Sequence, residues 1–221
     1  DLGLSVMNHA AGPVPVLAID RAVALFLPVS ALDPIQRDTE ATQCLRAWTG
    51  DGALSLSRRP SGRPRLDPPY HELGVSMATR AGAMLLGFDP QSRVGVDLEP
   101  HDQLPDAEAE RFARDHFSEP EIARIMAAPA RQRSRLALLH FVAKEAALKV
   151  TGRGVYDGLS WPELTIPHVP GDGEVLRLDI AAASAQPPVT IAVRQLGLPE
   201  GRPGWAALCA EQRLAPNNRH Q

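Results

Sequence analysis

The chain has 221 residues, 44% of them hydrophobic and 22% charged, a composition typical of a folded globular protein. Its formal net charge of −3 argues against a general nucleic-acid-binding protein, because such proteins usually carry a strong basic excess. The apolar runs are too short to span a bilayer, which takes about 20 residues. The two cysteines, Cys44 and Cys209, show no CxxC spacing. These features predict a cytoplasmic protein without a disulfide framework.

The basic residues are unevenly distributed. Of the 23 basic side chains, 21 are arginines and only Lys144 and Lys149 are lysines. The two lysines lie five residues apart in one segment. Either this is chance, or the segment requires an ammonium group that a guanidinium would not replace.

The sequence of the first half predicts several strands and one helix. The helix is expected to end at Gly50 and Gly52, and the turn sequence SGRP predicts a hairpin. Alternation is clearest in the last strand, which Pro100 ends and in which Asp97 and Glu99 share a face. The predicted elements are a strand within 15–29, a helix at 38–49, a hairpin at 53–66, strands at 74–78 and 81–87 around a turn at Thr79–Arg80, and a strand at 93–99.

The second half opens with helices and closes with strands. Ser118 and Glu121 form the capping-box pattern at the start of a short helix, and Gly152 ends the longest helix. The predicted elements are helices at 105–116, 119–126 and 131–151 and strands at 163–166, 175–180, 189–195 and 205–210, followed by a flexible tail at 212–221. Because helices and strands do not alternate regularly, the sequence predicts an α+β fold in two halves of similar size.

Two carboxylates face the same way near the end of the 93–99 strand. Asp97 and Glu99 are two residues apart, and their like charges repel unless a cation lies between them. Mg²⁺ would suit this position because it prefers oxygen ligands and binds substrate phosphates. The alternative is a solvated strand end whose acids pair with arginines.

The longest predicted helix adds a carboxylate and an ammonium group. Glu145 and Lys149 are four residues apart and share a face, whereas Lys144 points to another side. A simple Glu–Lys helix pair would contribute only about 0.3–0.5 kcal/mol. A third carboxylate near the two on the strand, with lysine to meet phosphate charge, would instead be the minimum for phosphoryl-group chemistry.

Three sequence blocks resemble the signature of the 4′-phosphopantetheinyl transferases. They are GVDLEP at Gly95–Pro100, FSEPE at Phe117–Glu121 and FVAKEAALKVTGRG at Phe141–Gly154. The combination of the first and third blocks is specific, whereas either alone would be weak. Their spacing and the chain length resemble the Sfp-type branch rather than the shorter holo-acyl carrier protein synthases, over residues 45–210.

The resemblance implies a fold and an activity. Family members are pseudodimers of two similar α/β halves, with the active site and coenzyme A in the cleft between them. They transfer the 4′-phosphopantetheine arm of coenzyme A to a serine of an apo acyl, peptidyl or aryl carrier protein and release adenosine 3′,5′-bisphosphate. Carried over, this predicts an N-terminal half at 1–100, which ends in the metal-binding strand, and a C-terminal half at 101–211, which contains the catalytic helix 131–151.

The resemblance also implies roles for individual residues. Asp97, Glu99 and Glu145 would hold Mg²⁺, or Mn²⁺, on the pyrophosphate. Glu145 would also be the general base for the carrier serine, directly or through a water. Lys149 would neutralise the departing bisphosphate, and Lys144 would contact phosphate too.

The upstream blocks match the family less closely. Arg46, in CLRAW, resembles an arginine that the family has at about this place in the sequence. Arg63, in GRP, resembles a basic residue of the family that lies by the nucleotide. In the stretch SMATR, Thr79 stands where the family has a histidine that contacts the 3′-phosphate of coenzyme A. We expect Ser76, Thr79 and Arg80 to line the coenzyme site, with Arg80 supplying the charge that the histidine would have carried.

Two other functions remain open at this point. A non-catalytic homologue that binds coenzyme A or a carrier protein would keep the fold, and the missing histidine motivates it. A magnesium-dependent phosphohydrolase would use water in place of serine, but it would be expected to carry further metal carboxylates. We predict a monomeric, magnesium-dependent transferase that acts on coenzyme A and an apo carrier protein and binds neither nucleic acid nor membrane.

Overall fold

The computed structural model describes residues 13–29, 33–152, 161–182 and 187–212. The strands are β1 (Val14–Ile19), β2 (Ala22–Pro28), β3 (Leu56–Arg58), β4 (Pro64–Leu66), β5 (Gly74–Arg80), β6 (Ala83–Asp89), β7 (Val94–Pro100), β8 (Val175–Ile180), β9 (Val189–Gly197) and β10 (Pro203–Glu211). The helices are α1 (Pro34–Thr49), α2 (Ala109–His116), α3 (Glu119–Ala127) and α4 (Ala130–Thr151). Apart from Gln212, the predicted tail lies outside the described residues.

Two antiparallel sheets and the helices on their outer faces form the core. The first sheet has the order β1-β2-β6-β5 and the second β7-β10-β9-β8, while β3 and β4 form a separate hairpin. Side chains alternate across β6: Leu86 packs towards Leu45 of α1, and Leu85 packs towards Val96 of the second sheet. Trp205 of β10 lies in a third apolar cluster with α2, α3 and α4. This mixture of sheets and helices confirms the predicted α+β class.

Two elements near the N-terminus differ from the prediction. The single strand expected within 15–29 is a hairpin of β1 and β2 that turns at Asp20, where φ is +50°. Helix α1 begins four residues earlier than predicted because Asp33 caps it. Gln36 N donates to Asp33 Oδ1 at 2.8 Å, and Asp33 N donates to Gln36 Oε1 at 3.0 Å. This capping box satisfies backbone donors that the helix cannot pair itself.

The turn predicted at Thr79–Arg80 is also misplaced. The chain reverses at Ala81 and Gly82, where φ is +49° and +71°, and β5 pairs with β6 through to Arg80. Glycine adopts the left-handed conformation without strain, which favours the turn at this position. Thr79 and Arg80 therefore lie on a strand.

Two predictions in the second half are wrong in part. No strand forms at 163–166 among the described residues; Leu164 is buried, and its backbone N–H donates to the Glu121 side chain instead of to a neighbouring strand. The helix predicted at 105–116 begins only at Ala109, after a 3₁₀ turn at Asp106–Glu108. The capping box of Ser118 at the start of α3 is confirmed. None of the described helices is long and apolar enough to cross a membrane.

Strand β7 connects the two sheets. It hydrogen-bonds to β10 along its length, for example with Leu98 opposite Ala206, so it belongs to the second sheet by pairing. Its apolar side chains, Val94, Val96 and Leu98, pack against the first sheet. The predicted division at residue 100 stays a prediction, and the pairing assigns β7 to the same sheet as the C-terminal strands.

The other face of β7 lies unusually close to α4 because residue 95 is glycine. A Cβ at Gly95 would overlap the carbonyl oxygen of Ala146 and lie 3.0 Å from Cβ of Lys149. Ala146 directly follows Glu145 on α4, and Lys149 is itself one of the predicted site residues. The absence of a side chain at Gly95 therefore allows the short distance between α4 and β7, which places Glu145 and Lys149 close to the strand.

Replacing Gly95 with alanine is expected to lower the free energy of unfolding by about 1–3 kcal/mol, because α4 has to move away from β7. Urea unfolding of both proteins would measure the change. Gly197→Ala is the matched control, since no atom lies within 4 Å of a Cβ built there. If the two variants were equally stable, the close approach of α4 to β7 would not constrain residue 95.

Candidate functional site

Elements of both sheets meet at one cleft, which we call the Asp97–Lys149 cleft. Its volume is about 230 Å³. The residues that line it are Arg37, Arg58, Met77, Ala78, Thr79, Arg80, Asp97 and Lys149. They come from α1, β3, β5, β7 and α4, so the fold gathers side chains that are far apart in the sequence.

Asp97 and Lys149, which both line this cleft, form an ion pair. Lys149 Nζ donates to Asp97 Oδ1 at 2.7 Å and to the carbonyl oxygen of Val96 at 2.9 Å. Asp97 is only 6% exposed, so a nearby cation compensates a carboxylate that has lost most of its water. Among the described residues, Lys149 pairs with this strand carboxylate and not with Glu145 on its own helix.

Glu99 is held by Arg80 from the neighbouring sheet. Arg80 Nε lies 3.0 and 3.1 Å from the two carboxylate oxygens of Glu99. Burial of the carboxylate raises the pKa of Glu99, and the charge of Asp97 raises it further, while Arg80 opposes the shift. Arg80 therefore compensates a buried acid; the alternative interpretation expected an arginine partner, but at a solvated strand end, whereas Glu99 is only 3% exposed.

Glu145 faces the same group of charges from α4. Burial raises the pKa of its carboxyl group to about 7, the charge of Asp97 raises it as well, and Lys149 opposes both. Its Oε1 atom is buried and has no hydrogen-bond partner among the described residues. A buried carboxylate oxygen without a donor is costly, so this side chain is suited to accept a proton or a cation.

The three carboxylates fit a divalent cation by their chemistry but do not form a ready-made ligand cluster. Within the described ranges, no group of three His, Cys, Asp or Glu side chains is close enough to hold a metal ion. However, Asp97 Oδ2 and Glu145 Oε1 are both buried without a partner in those ranges. Oxygen donors of this kind suit Mg²⁺ or Mn²⁺. Asp97, Glu99 and Glu145 would be the residues to hold such an ion.

Arg63 connects the hairpin of β3 and β4 to the end of α4. Its Nη2 group donates to the carbonyl oxygen of Lys149, in the last helical turn. Gly152 ends the helix with φ at +76°, and a Cβ there would lie 2.7 Å from Nη1 of Arg63. A cation at a helix C-terminus meets unpaired carbonyl groups and the negative end of the helix dipole. Arg63 thus caps the predicted catalytic helix, and it lines a neighbouring cleft.

Two other predicted coenzyme contacts have structural roles. Ser76 is buried, and its Oγ accepts a hydrogen bond from the backbone N–H of Val96 at 3.1 Å, which joins β5 to β7. Arg46 Nε donates to the carbonyl oxygen of Leu54 at 2.6 Å and so holds the loop after α1. Neither residue lines the Asp97–Lys149 cleft. Their coenzyme contacts stay predictions.

Lys144 lies apart from the other predicted site residues. Its side chain is completely buried, and its Nζ donates to Glu121 Oε2 at 2.6 Å. Glu121 is also completely buried and accepts hydrogen bonds from Ser118 and from the backbone N–H of Leu164 at 2.8 Å. The predicted phosphate contact of Lys144 is therefore not favoured by this geometry. Instead, the lysine ties α4 to α3 and to the following segment.

Sequence reasoning missed two kinds of residue here. It placed Glu121 in a capping box and in the FSEPE block but gave it no charged partner, although the same carboxylate pairs with Lys144. A buried lysine needs an opposite charge, so the acidic FSEPE block was the available signal. Arg37 and Arg58 line the Asp97–Lys149 cleft without any local pattern to indicate it.

The sequence around the site is similar to that of known proteins. The family model of the 4′-phosphopantetheinyl transferase superfamily matches residues 93–192. A curated protein of Synechocystis sp. that carries the provisional name 4′-phosphopantetheinyl transferase is 29% identical over 108 residues. Residues 93–192 are therefore similar to the 4′-phosphopantetheinyl transferase superfamily.

The superfamily match covers part of the site. Asp97, Glu99, Glu145 and Lys149 lie within the matched segment, whereas Arg63 and the stretch of β5 lie before it. The alignment with the Synechocystis protein covers 48% of this chain and 43% of that protein, so this chain matches less than half of its relative. The Sfp-type branch, which the block spacing and the chain length suggested, stays a prediction.

Proposed function

We propose that this protein transfers the 4′-phosphopantetheine arm of coenzyme A to a serine hydroxyl of an apo carrier protein. The observation that supports it is the meeting of Glu145, Asp97 and Glu99 with Lys149 and Arg80 inside the superfamily segment and its adjoining strand. This combination offers a base and cation ligands together with fixed positive charges; Asp97, Lys149 and Arg80 line the cleft, and Glu99 and Glu145 are buried beside them. Phosphoryl transfer depends mainly on such positioning and charge stabilisation.

The proposed reaction is a displacement at phosphorus. Glu145 accepts the serine proton while the serine oxygen bonds to the phosphorus that carries the pantetheine arm. The bond from that phosphorus to the bridging oxygen of the pyrophosphate breaks, and its electron pair leaves with adenosine 3′,5′-bisphosphate. Lys149 neutralises the charge that develops on this leaving group. Bound Mg²⁺ or Mn²⁺, held by Asp97, Glu99 and Glu145, would supply further positive charge to the pyrophosphate.

The architecture supports a coenzyme site between two similar halves. Each four-stranded antiparallel sheet carries a long helix on its outer face, α1 on the first and α4 on the second. The Asp97–Lys149 cleft receives residues from both. We infer a pseudodimer of related halves on this ground. The monomeric state and the cytoplasmic location stay predictions.

Intact-protein mass measurement of an apo carrier protein tests the proposal. The carrier is incubated with coenzyme A, Mg²⁺ and this protein, and we expect a mass gain of one phosphopantetheine group. A carrier in which alanine replaces the acceptor serine should gain none. Several carrier classes that all remain unmodified would contradict the transferase proposal.

The same reactions distinguish the two alternatives. Release of free 4′-phosphopantetheine in the absence of a carrier would indicate a phosphohydrolase. Binding of coenzyme A without transfer or release would indicate a non-catalytic binding protein. Either outcome would replace the transferase proposal by a different function of the same cleft.

A further inference from the structure

A cavity of about 820 Å³ lies between the end of α3, the start of α4 and the segment 166–172. We call it the Arg124–Arg135 cavity, after the two arginines that line it. It shares no lining residue with the Asp97–Lys149 cleft. Arg135 and Lys149 are 14 residues apart on α4, which corresponds to about 21 Å along the helix axis. The cavity is therefore a separate site on the same helix.

The walls of this cavity are mostly apolar. Residues 127–129 at the junction of α3 and α4, Leu136 of α4, and Ile166, Pro167 and Val169 of the following segment all line it. Small-molecule sites typically have volumes of about 300–1,000 Å³, apolar walls and a few polar groups that fix the orientation of the ligand. The Arg124–Arg135 cavity matches this description in both size and lining.

Side-chain contacts hold the segment 166–172 in place as one wall of the cavity. Glu174 Oε1 lies 2.6 Å from His168 Nε2, and Glu174 Oε2 accepts a hydrogen bond from the backbone N–H of Gly171 at 2.9 Å. Asp172 Oδ1 accepts a hydrogen bond from Nε2 of Gln195 on β9. Because these contacts form within the protein itself, a ligand does not have to order this wall, which lowers the entropic cost of binding.

The two arginines bring positive charge that no carboxylate balances. Neither Arg124 nor Arg135 forms an ion pair within the described residues. Arg124 Nη1 donates to the carbonyl oxygen of Leu164 at 3.3 Å, and Arg135 Nη2 donates to Gln195 Oε1 at 2.9 Å. Both acceptors are neutral. Nε of Arg135 is buried and has no hydrogen-bond partner in that part of the chain.

The other titratable groups that line the cavity leave this positive excess in place. Asp172 is the only acidic residue among the described lining residues; it is exposed, and it pairs with the neutral amide of Gln195. His168 lies against Glu174, which is not a lining residue. Two guanidinium groups against one carboxylate give the cavity a formal excess of one positive charge, which suits a ligand with a single negative charge.

We propose that the Arg124–Arg135 cavity binds a small carboxylate that carries an apolar chain or ring. The carboxylate group pairs with the two arginines, and the apolar body packs against the walls. The guanidinium carbon of Arg135 lies 5.9 Å from the centre of the Trp205 ring, and Trp205 Nε1 donates to the Arg135 carbonyl oxygen at 3.2 Å. A planar guanidinium fixed in this way matches the geometry of a carboxylate. This site goes beyond the proposed transfer reaction and does not depend on it.

Titration calorimetry of the full chain with sodium octanoate tests the proposal. We expect one equivalent of octanoate to bind. Acetate should bind more than about a hundredfold more weakly, because it lacks the six methylene groups that octanoate would bury against the walls. Octyltrimethylammonium, which has the same chain but the opposite charge, should not bind measurably.

Variants of the lining residues connect this binding to the cavity. Arg124→Gln and Arg135→Gln should each weaken octanoate binding about tenfold, as expected for a lost hydrogen bond between charged groups. Val169→Glu places a negative charge in the apolar wall and should abolish measurable binding. Arg177→Gln and Val175→Glu are the matched controls, since both residues are exposed on β8 and neither lines the cavity. They should bind octanoate like the native protein. Thermal unfolding midpoints close to the native value would show that the variants remain folded.

Three outcomes would overturn the proposal: a native protein that does not bind octanoate, lining variants that bind it as tightly as the native protein does, and displacement of bound octanoate by coenzyme A. The last result would place the acid in the coenzyme cleft. None of these outcomes bears on transfer to a carrier protein, because the titrations contain no carrier. Conversely, a protein without transfer activity would still show the expected pattern of octanoate binding if the cavity is an acid-binding site.

Discussion

Replacement of Glu145 by glutamine is expected to lower the transfer rate by about 10²–10⁴-fold while the protein stays folded. Glutamine has nearly the same shape, but its amide cannot accept the serine proton. Because Oε1 of Glu145 has no hydrogen-bond partner among the described residues, the change breaks no contact of that atom. It also removes a negative charge beside Asp97, whose repulsion helps to raise the pKa of Glu145.

The measurement is the initial rate of carrier modification, followed by intact-protein mass, with urea unfolding to check stability. Glu110→Gln is the matched control, since this exposed side chain pairs only with Arg114 on α2 in the described structure. We expect the control to keep the native rate. A Glu145→Gln protein with the native rate would show that another group accepts the proton.

Replacement of Lys144 by methionine is expected to reduce the free energy of unfolding by about 3–5 kcal/mol. The change leaves Glu121 as a buried carboxylate without its charged partner, although Ser118 and Leu164 still donate to it. Methionine fills a similar volume, so the main effect is the unpaired charge. Urea unfolding of the variant and the native protein measures the difference.

A double variant separates the charge effect from a loss of packing. Adding Glu121→Gln to Lys144→Met removes the buried charge and is expected to restore part of the lost stability. Coenzyme A binding by the Lys144→Met protein, measured under folded conditions, should stay close to native. A stable Lys144→Met protein with weakened coenzyme A binding would instead support the phosphate contact that the family resemblance implied.

This pair also explains how Glu145 is oriented. Lys144 and Glu145 are adjacent on α4, so their side chains point about 100° apart around the helix. The bond from Lys144 to Glu121 fixes the rotation of α4 on one side. Glu145 then faces the charges of β7 on the other side, where Gly95 allows the helix to approach closely. The buried ion pair thus has a positioning role for the proposed base.

Local patterns predicted the elements that carry the site. The long apolar helix ended by Gly152 was predicted to within one residue at each end, because helix ends depend on nearby residues. The alternation of β7 was equally clear, and it placed Asp97 and Glu99 on one face. Turns were less predictable: the reversal at Ala81 and Gly82 depends on which register β5 and β6 adopt.

The sequence by itself therefore determined the α+β class, the helix and strand that carry the candidate catalytic groups, and the superfamily resemblance, since all three depend on residue type and short spacing. Only the tertiary structure decided the partners of the charges in and around the site. Lys149 pairs across to β7, Lys144 pairs with Glu121, and Arg63 caps α4. Side chains separated by many residues meet only when the chain packs, and no local pattern records which acid such a distant base will reach.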